Sequence, residues 1–363
     1  MSEGEMKEGN AGGTDHPAPV SDGAAAAFSE ALPKLLSLVN DKFAVDRRVL
    51  KKRQPEDLTF VYDAHRHFGD MLRAVYEFKL YDHMLDEFAW YVATLAARGF
   101  EESYFRRMIE AWMIAIHSSI KPPESRDLTL PLEQLCRNLH AVYSAPRAEA
   151  EPLSPEAQHL LGLLLDKRRR GAAEYALERG GGDRIEQVYS GLVLPAMNQV
   201  GVLWQRNEIS VADEHAATEI GRYVLFRVID ALPREKPLGM KALVACVPGE
   251  EHDVGAQVAG GVLDAKGWDI VYVGRSAPEA EIVKVLDSER PHLAVFTVTL
   301  VARLPAARDL LMTVRSRFEG TKIIVGGRAA LIAGDVLAQH VDAVVEGFGD
   351  LHTTALNLVG RDA

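Results

Sequence analysis

A chain of 363 residues is long enough for two or three domains. Hydrophobic residues make up 47% and charged ones 26%, the balance of a globular protein with ample core material. The net charge of −11 argues against direct nucleic-acid binding by the whole surface, because phosphate contacts need clustered Lys and Arg.

Residues 1–27, rich in Gly, Ala, Glu, Ser and Pro, read as a disordered tail with no signal-peptide pattern. No later run is long enough to cross a membrane, so a cytoplasmic protein is expected. Residues 28–146 read as an all-helical, globin-sized module. Leu72, Val75, Tyr76, Phe88, Val92, Phe105, Ile109 and Trp112 recur at three- and four-residue steps, and helices are predicted over 29–43, 55–78, 80–98, 101–118 and 128–143. Its histidines, among them His65 and His67, could bind a tetrapyrrole, but surface or core positions suit them as well. Cys136 could anchor a bilin but reads first as a buried helical thiol, and Cys136 and Cys246 are not expected to form a disulfide.

Residues 154–232 read as a four-helix bundle. Ser154-Pro155-Glu156 opens one helix, Asp183 with Glu186 forms a capping box, and Ser210 with Asp213 caps another. The basic block Lys167-Arg168-Arg169-Arg170 reads as a solvated helix face, and Pro233 to Pro237 as a linker.

From 238 to 363, β-rich segments alternate with helical ones. Strands are predicted at 241–247, 268–273, 292–298, 321–325 and 342–345, with helices near 254–266, 278–289, 304–318, 330–338 and 349–360. This alternation predicts a flavodoxin-like doubly wound parallel sheet, with the loops after the first and third strands flanking its switch point. The first of those loops carries Glu250, His252, Asp253, Val254 and Gly255. An imidazole there can ligate a metal through one nitrogen while Glu250 accepts the proton on the other. Forty-one residues separate Gly255 from Thr297, Val298 and Thr299, and twenty-six more separate Thr299 from Gly326 and Gly327. Small hydroxyls can donate hydrogen bonds to a ligand, and glycines let backbone approach a flat ring closely.

This spacing resembles the Asp-x-His-x-x-Gly, Ser-x-Leu and Gly-Gly signature of the cobalamin-binding domain of methionine synthase, methylmalonyl-CoA mutase and related corrinoid proteins. Glu250 stands for the usual Asp and Thr297 for the usual Ser. The resemblance implies that His252 is the lower cobalt ligand, and that Thr297, Thr299, Gly326 and Gly327 line the channel of the cofactor's nucleotide tail. It also implies that the four-helix module is a cap over the upper corrin face.

Within that module, Trp204, Val211, Glu214 and His215 look like the set with which CarH-type adenosylcobalamin photoreceptors contact the adenosyl group. An indole offers a flat face to a purine, and a carboxylate and an imidazole can bond ribose hydroxyls. Those photoreceptors carry a His directly after the Trp that captures cobalt after illumination. Here Gln205 occupies the position, and an amide is a poor cobalt ligand.

Two functional classes follow. One is a light-responsive, non-enzymatic sensor holding adenosylcobalamin, with residues 28–146 as output or second input. Its arrangement is similar to that of the photocobilins, which pair cobalamin with a bilin such as biliverdin, and of B12-dependent antirepressors, whose partner is a transcription factor. The other is a corrinoid methyl carrier serving a methyltransferase. A radical mutase would need a substrate barrel for which the chain has no room. Either class is expected to be a homo-oligomer.

Overall fold

The computed structural model describes residues 19–45, 55–145, 152–179 and 185–360. Among the described residues, five helices come first: α1 (Asp22–Val45), α2 (Pro55–Phe78), α3 (Tyr81–Ala96), α4 (Glu102–Ser119) and α5 (Glu124–Ser144). Their faces meet in an aromatic core in which Phe28, Phe68, Phe88, Phe105 and Trp112 are buried completely. Gly69 lets the Trp112 ring lie directly on the α2 backbone, where a Cβ would stand 2.6 Å from the indole edge.

Two boundaries differ from expectation. The segment 22–27 belongs to α1, because its alanines favour helix and Ala24 and Ala25 are buried. Val20 is tied down by hydrogen bonds to the Tyr81 hydroxyl (2.7 Å) and from Lys79 Nζ (2.6 Å). Helix α5 starts four residues early and runs through Pro131, which is buried against the bundle. The tail before residue 19 lies outside the described residues.

The second module contains α6 (Pro155–Leu165), α7 (Arg169–Arg179), α8 (Ile185–Val188), a π-helical turn (Tyr189–Val193), α9 (Leu194–Gln205) and α10 (Val211–Asp230). Ser154 caps α6 by accepting from the Ala157 N–H at 3.1 Å. Ser210 and Asp213 form the reciprocal box at the start of α10. Asp183 lies outside the described residues. The basic block straddles the α6–α7 turn, where Lys167 pairs with Asp213 (2.8 Å) and Arg169 covers the Tyr223 ring.

The third module follows the predicted alternation: β1 (Lys241–Cys246), α11 (Val254–Ala265), β2 (Asp269–Gly274), α12 (Glu279–Glu289), β3 (Leu293–Thr297), a 3-10 turn (Val301–Arg303), α13 (Leu304–Arg317), β4 (Lys322–Gly326), α14 (Arg328–Ile332), α15 (Gly334–Leu337), β5 (Ala343–Val345) and α16 (Leu351–Val359). The predicted helix at 330–338 is two short pieces meeting at Ala333. All strand pairs are parallel, in the order β2-β1-β3-β4-β5, so the switch point lies between β1 and β3.

Alternate strand residues face opposite ways. Ala242, Val244, Cys246, Val295 and Ile324 pack under α11 and α16. Leu243, Ala245, Phe296, Val298 and Val325 face α12 and α13 in a cluster continuous with the core of α1–α5. The helical domain is therefore seated on one side of the sheet domain. On the other side the cap packs on α11, with Val258 and Val262 joining the core of Val224, Leu225 and Val228.

Candidate cobalamin site

Strand register aligns the sequence motifs. Cys246 pairs with Thr297, Thr297 with Gly326, and Gly326 with Val345, so the ends of β1, β3, β4 and β5 form one row. Residues 51 and 29 positions apart become neighbours at the carboxyl edge of the sheet, where open α/β folds bind ligands.

Glu250 is fully buried in the loop after β1. One oxygen lies 2.6 Å from His252 Nδ1 and accepts the His252 backbone N–H at 2.9 Å. The other accepts the N–H groups of Thr299 and Leu300, both at 2.9 Å, from the loop after β3. Burial opposes ionisation of this carboxyl, but hydrogen bonds and charge from His252, with the Leu300 and His252 N–H groups, hold its pKa down at about 2. His252 itself is exposed, and the hydrogen bond to Glu250 raises its pKa against the opposing effect of desolvation. With Nδ1 committed to Glu250, Nε2 is the nitrogen offered to a metal. The donor set fits cobalt held in a macrocycle, needing one imidazole from the protein.

The remaining motif residues divide. Thr297 is buried, its hydroxyl 3.4 Å from Cys246 Sγ, and burial pushes the Cys246 thiol up to about 12. Thr299 and Gly255 border the loop around Glu250, and space is open beside Gly255. Val298 is buried among the α13 side, and its carbonyl accepts the Ala329 N–H at 3.2 Å. Gly327 has φ of +102° and a Cβ there would collide with the Val298 carbonyl, so backbone packing demands a glycine at this position. Gly326 is less constrained, a Cβ meeting Val345 at 3.3 Å. Asp253 stands at the N-terminus of α11 and pairs at 2.8 Å with Arg222 of α10, tying cap to sheet domain. Val254 packs against the cap core.

On the cap, Glu214 Oε2 lies 2.6 Å from His215 Nδ1, and Glu214 Oε1 accepts from the Thr218 hydroxyl at 2.7 Å. His215 and Val211 are exposed. After Glu250, the charge of the Glu214 carboxylate adds to raising the His252 pKa. Trp204 is half-buried at the end of α9, but its ring lies under Arg98 of the helical domain, 4.5 Å from the guanidinium. Gln205 Nε2 donates to the Trp90 carbonyl at 3.4 Å.

Sequence reasoning missed Arg222 and Arg98. Arg222 follows Glu214 and Thr218 at four-residue steps on one face of α10, a spacing that marks it. Arg98 carries no such signal, because its partners are more than a hundred residues away.

Residues 240–357 match the model of the B12 binding domain, and residues 164–228 match a second model of that description, which covers the helices ahead of it. The chain is a cobalamin-binding protein with a helical cap in front of a Rossmann-like domain. It is 29% identical over 146 residues to the HTH-type transcriptional repressor CarA of Myxococcus xanthus, a match covering 40% of this chain and 49% of the repressor. It thus spans about half the length of that relative. Dimethylamine corrinoid protein 1 of Methanosarcina acetivorans is 23% identical over 200 residues, 52% of this chain and 93% of that protein. Among solved structures, the monomethylamine corrinoid protein of Methanosarcina barkeri aligns with a TM-score of 0.48 at 17% identity, over 55% of this chain and 96% of that one.

Proposed function

We propose that the protein is a regulatory sensor holding adenosylcobalamin, with His252 as lower cobalt ligand and the adenosyl group under the cap. The observation that carries this reading is the hydrogen-bonded Glu214–His215–Thr218 cluster on α10, a polar set of ribose-bonding type where a methyl group would need none. The similarity to CarA supports it. Bound adenosylcobalamin supplies a cobalt–carbon bond that light can cleave. The protein's own part is to orient one imidazole through Glu250, shield the upper side with α9 and α10, and seat the helical domain against both.

A methyl carrier is favoured by a different observation. The similarity to the dimethylamine corrinoid protein runs through nearly that whole protein. Affinity for adenosylcobalamin against methylcobalamin separates the two readings. Tighter adenosylcobalamin, with a light-induced change in oligomeric state or domain contacts, supports the sensor. Tighter methylcobalamin, with turnover by an added methyltransferase, supports the carrier.

The proposal includes a cytoplasmic protein whose output is read by a protein partner such as a transcription factor or an enzyme. The structure gives little anchorage for a covalent bilin in the helical domain. Burial raises the pKa of the half-buried Cys136, which disfavours the thiolate, and His65 is enclosed and bonded at both nitrogens. A bilin held there without covalent linkage would add a red-absorbing band.

A further inference from the structure

Arg98 lies in the turn after α3, and its side chain crosses to the cap. Nη1 donates to the Thr94 carbonyl (2.7 Å) on its own helix and to the Gln205 carbonyl (3.2 Å), while Nη2 donates to the Trp204 carbonyl (3.0 Å). The guanidinium lies over the Trp204 ring at 4.5 Å and near that of Phe60 at 5.6 Å. Carbonyls in the last turn of a helix lack intrahelical partners and carry the negative end of the helix dipole. A fork of N–H donors with a flat face bonds two of these last-turn carbonyls while covering the indole, the Trp204 carbonyl also accepting the Asn207 N–H at 3.0 Å. Gln205 returns a bond of its own to the Trp90 carbonyl.

The same helical domain also grips the loops beneath. Arg303, at the end of the 3-10 turn that follows Leu300, lies 3.7 Å from Asp70 on α2. Its guanidinium is within 3.4 Å of where a Cβ on Gly249 would stand, next to Glu250. Arg308 on α13 pairs with Glu77 at 2.9 Å. The domain thus touches the cap at Trp204 and the His252-orienting loops through Arg303.

We propose that Arg98 is a positioning residue that fixes Trp204 and the last turn of α9, so that the helical domain sets how far the cap closes over His252. This rests on cobalamin lying between cap and sheet domain, and is independent of which upper ligand it carries. Lysine cannot replace this arginine, because an ammonium offers no flat face and no two-pronged fork.

The test is hydrogen–deuterium exchange on the full chain without cofactor, joined to the dissociation rate of hydroxocobalamin. Arg98→Met should speed exchange of residues 200–206 by about tenfold, the size expected from losing charge-assisted bonds and a cation–ring contact. Residues 220–229 of α10 should stay protected. Hydroxocobalamin should leave about tenfold faster. Arg98→Lys should resemble Arg98→Met, and Trp204→Leu, which leaves the helical domain intact, should speed exchange around residues 94–98. In a Trp204→Leu background, Arg98→Met should add little. Unchanged exchange at 200–206 in Arg98→Met, or fully additive effects of the two substitutions, overturns the proposal. Neither readout uses adenosylcobalamin or light, so failure of the sensor reading would leave this result standing, and the reverse.

Discussion

Glu250 stands 2.6 Å from His252 Nδ1 with one oxygen and holds the Thr299 and Leu300 N–H groups with the other, so one buried carboxylate joins both loops at the sheet's switch point. Removing the two partners should therefore have unlike consequences. His252→Ala deletes the metal ligand from an exposed position and should leave the folded protein intact, with cobalamin weakly held or showing a different absorption spectrum. Glu250→Ala should weaken cobalamin by ~10–100-fold and also lower thermal stability without cofactor, because it leaves buried N–H donors at about 1–3 kcal/mol each. Titration with hydroxocobalamin and a melting curve on each variant check this. An unchanged spectrum and affinity in His252→Ala would remove it as the ligand.

The paired glycines should separate in the same way. Gly327→Ala is expected to destabilise the protein by about 1–3 kcal/mol even without cofactor, since it combines a positive φ with a clash against the Val298 carbonyl. Gly326→Leu reaches toward Val345 and the predicted tail channel, and should cost cobalamin affinity more than stability. Full binding by a folded Gly326→Leu would move the channel elsewhere.

Trp204→Ala should reduce any preference for adenosylcobalamin over methylcobalamin. A lost aromatic contact is worth about 0.5–1.5 kcal/mol, or about a twofold to tenfold change in the ratio of the two dissociation constants. An unaltered ratio would show that the ring, occupied by Arg98, does not meet the adenosyl group.

Acid should act on the helical domain through His65. Burial lowers its pKa to about 4, and the neutral ring lies within hydrogen-bond distance of Asn40 Oδ1 (2.8 Å) and the Tyr104 hydroxyl (3.1 Å). The unfolded chain binds this proton near pH 6.5 and the folded chain only near pH 4, so the stability contribution is complete above 6.5 and lost as pH falls to 4. Its size is on the order of 3 kcal/mol. His65→Gln should flatten the pH dependence of the melting temperature across that interval, whereas an equally steep curve would assign the effect to another group.

The sheet domain was nearly transparent in sequence, because buried parallel strands read as apolar runs and their boundaries fall within one or two residues of the expected ones. His252 and Glu250 were visible from spacing, but the second hold of Glu250 on Thr299 and Leu300 was not. Backbone N–H donors have no sequence signature. Gly327 was legible as a motif, but its positive φ, which depends on how β4 leaves the sheet beside Val298, was not. Residues 22–27 were misread because an alanine run gives no periodicity, although it favours helix once Ala24 and Ala25 are buried. Contacts such as Arg98 with Trp204 depend on how domains dock, which local pattern does not encode.

The Pro233–Pro237 stretch looks like the natural joint of the chain, yet two helical glycines argue for a seam elsewhere. At Gly221 a Cβ would stand 2.5 Å from Met197, and at Gly261 2.5 Å from Ile229, so α9 lies against α10 and α10 against α11 with no room to slide. The start of α9, α10 and α11 are wedged into one block, further pinned by Arg222 and Asp253, which leaves the Trp204 turn as the part of the cap that Arg98 positions. The helical domain shares a wide apolar floor with the sheet, but meets the cap chiefly through Arg98 and Gln205. The molecule would part most readily there, like a lid unlatched at its free edge while its hinge stays bolted.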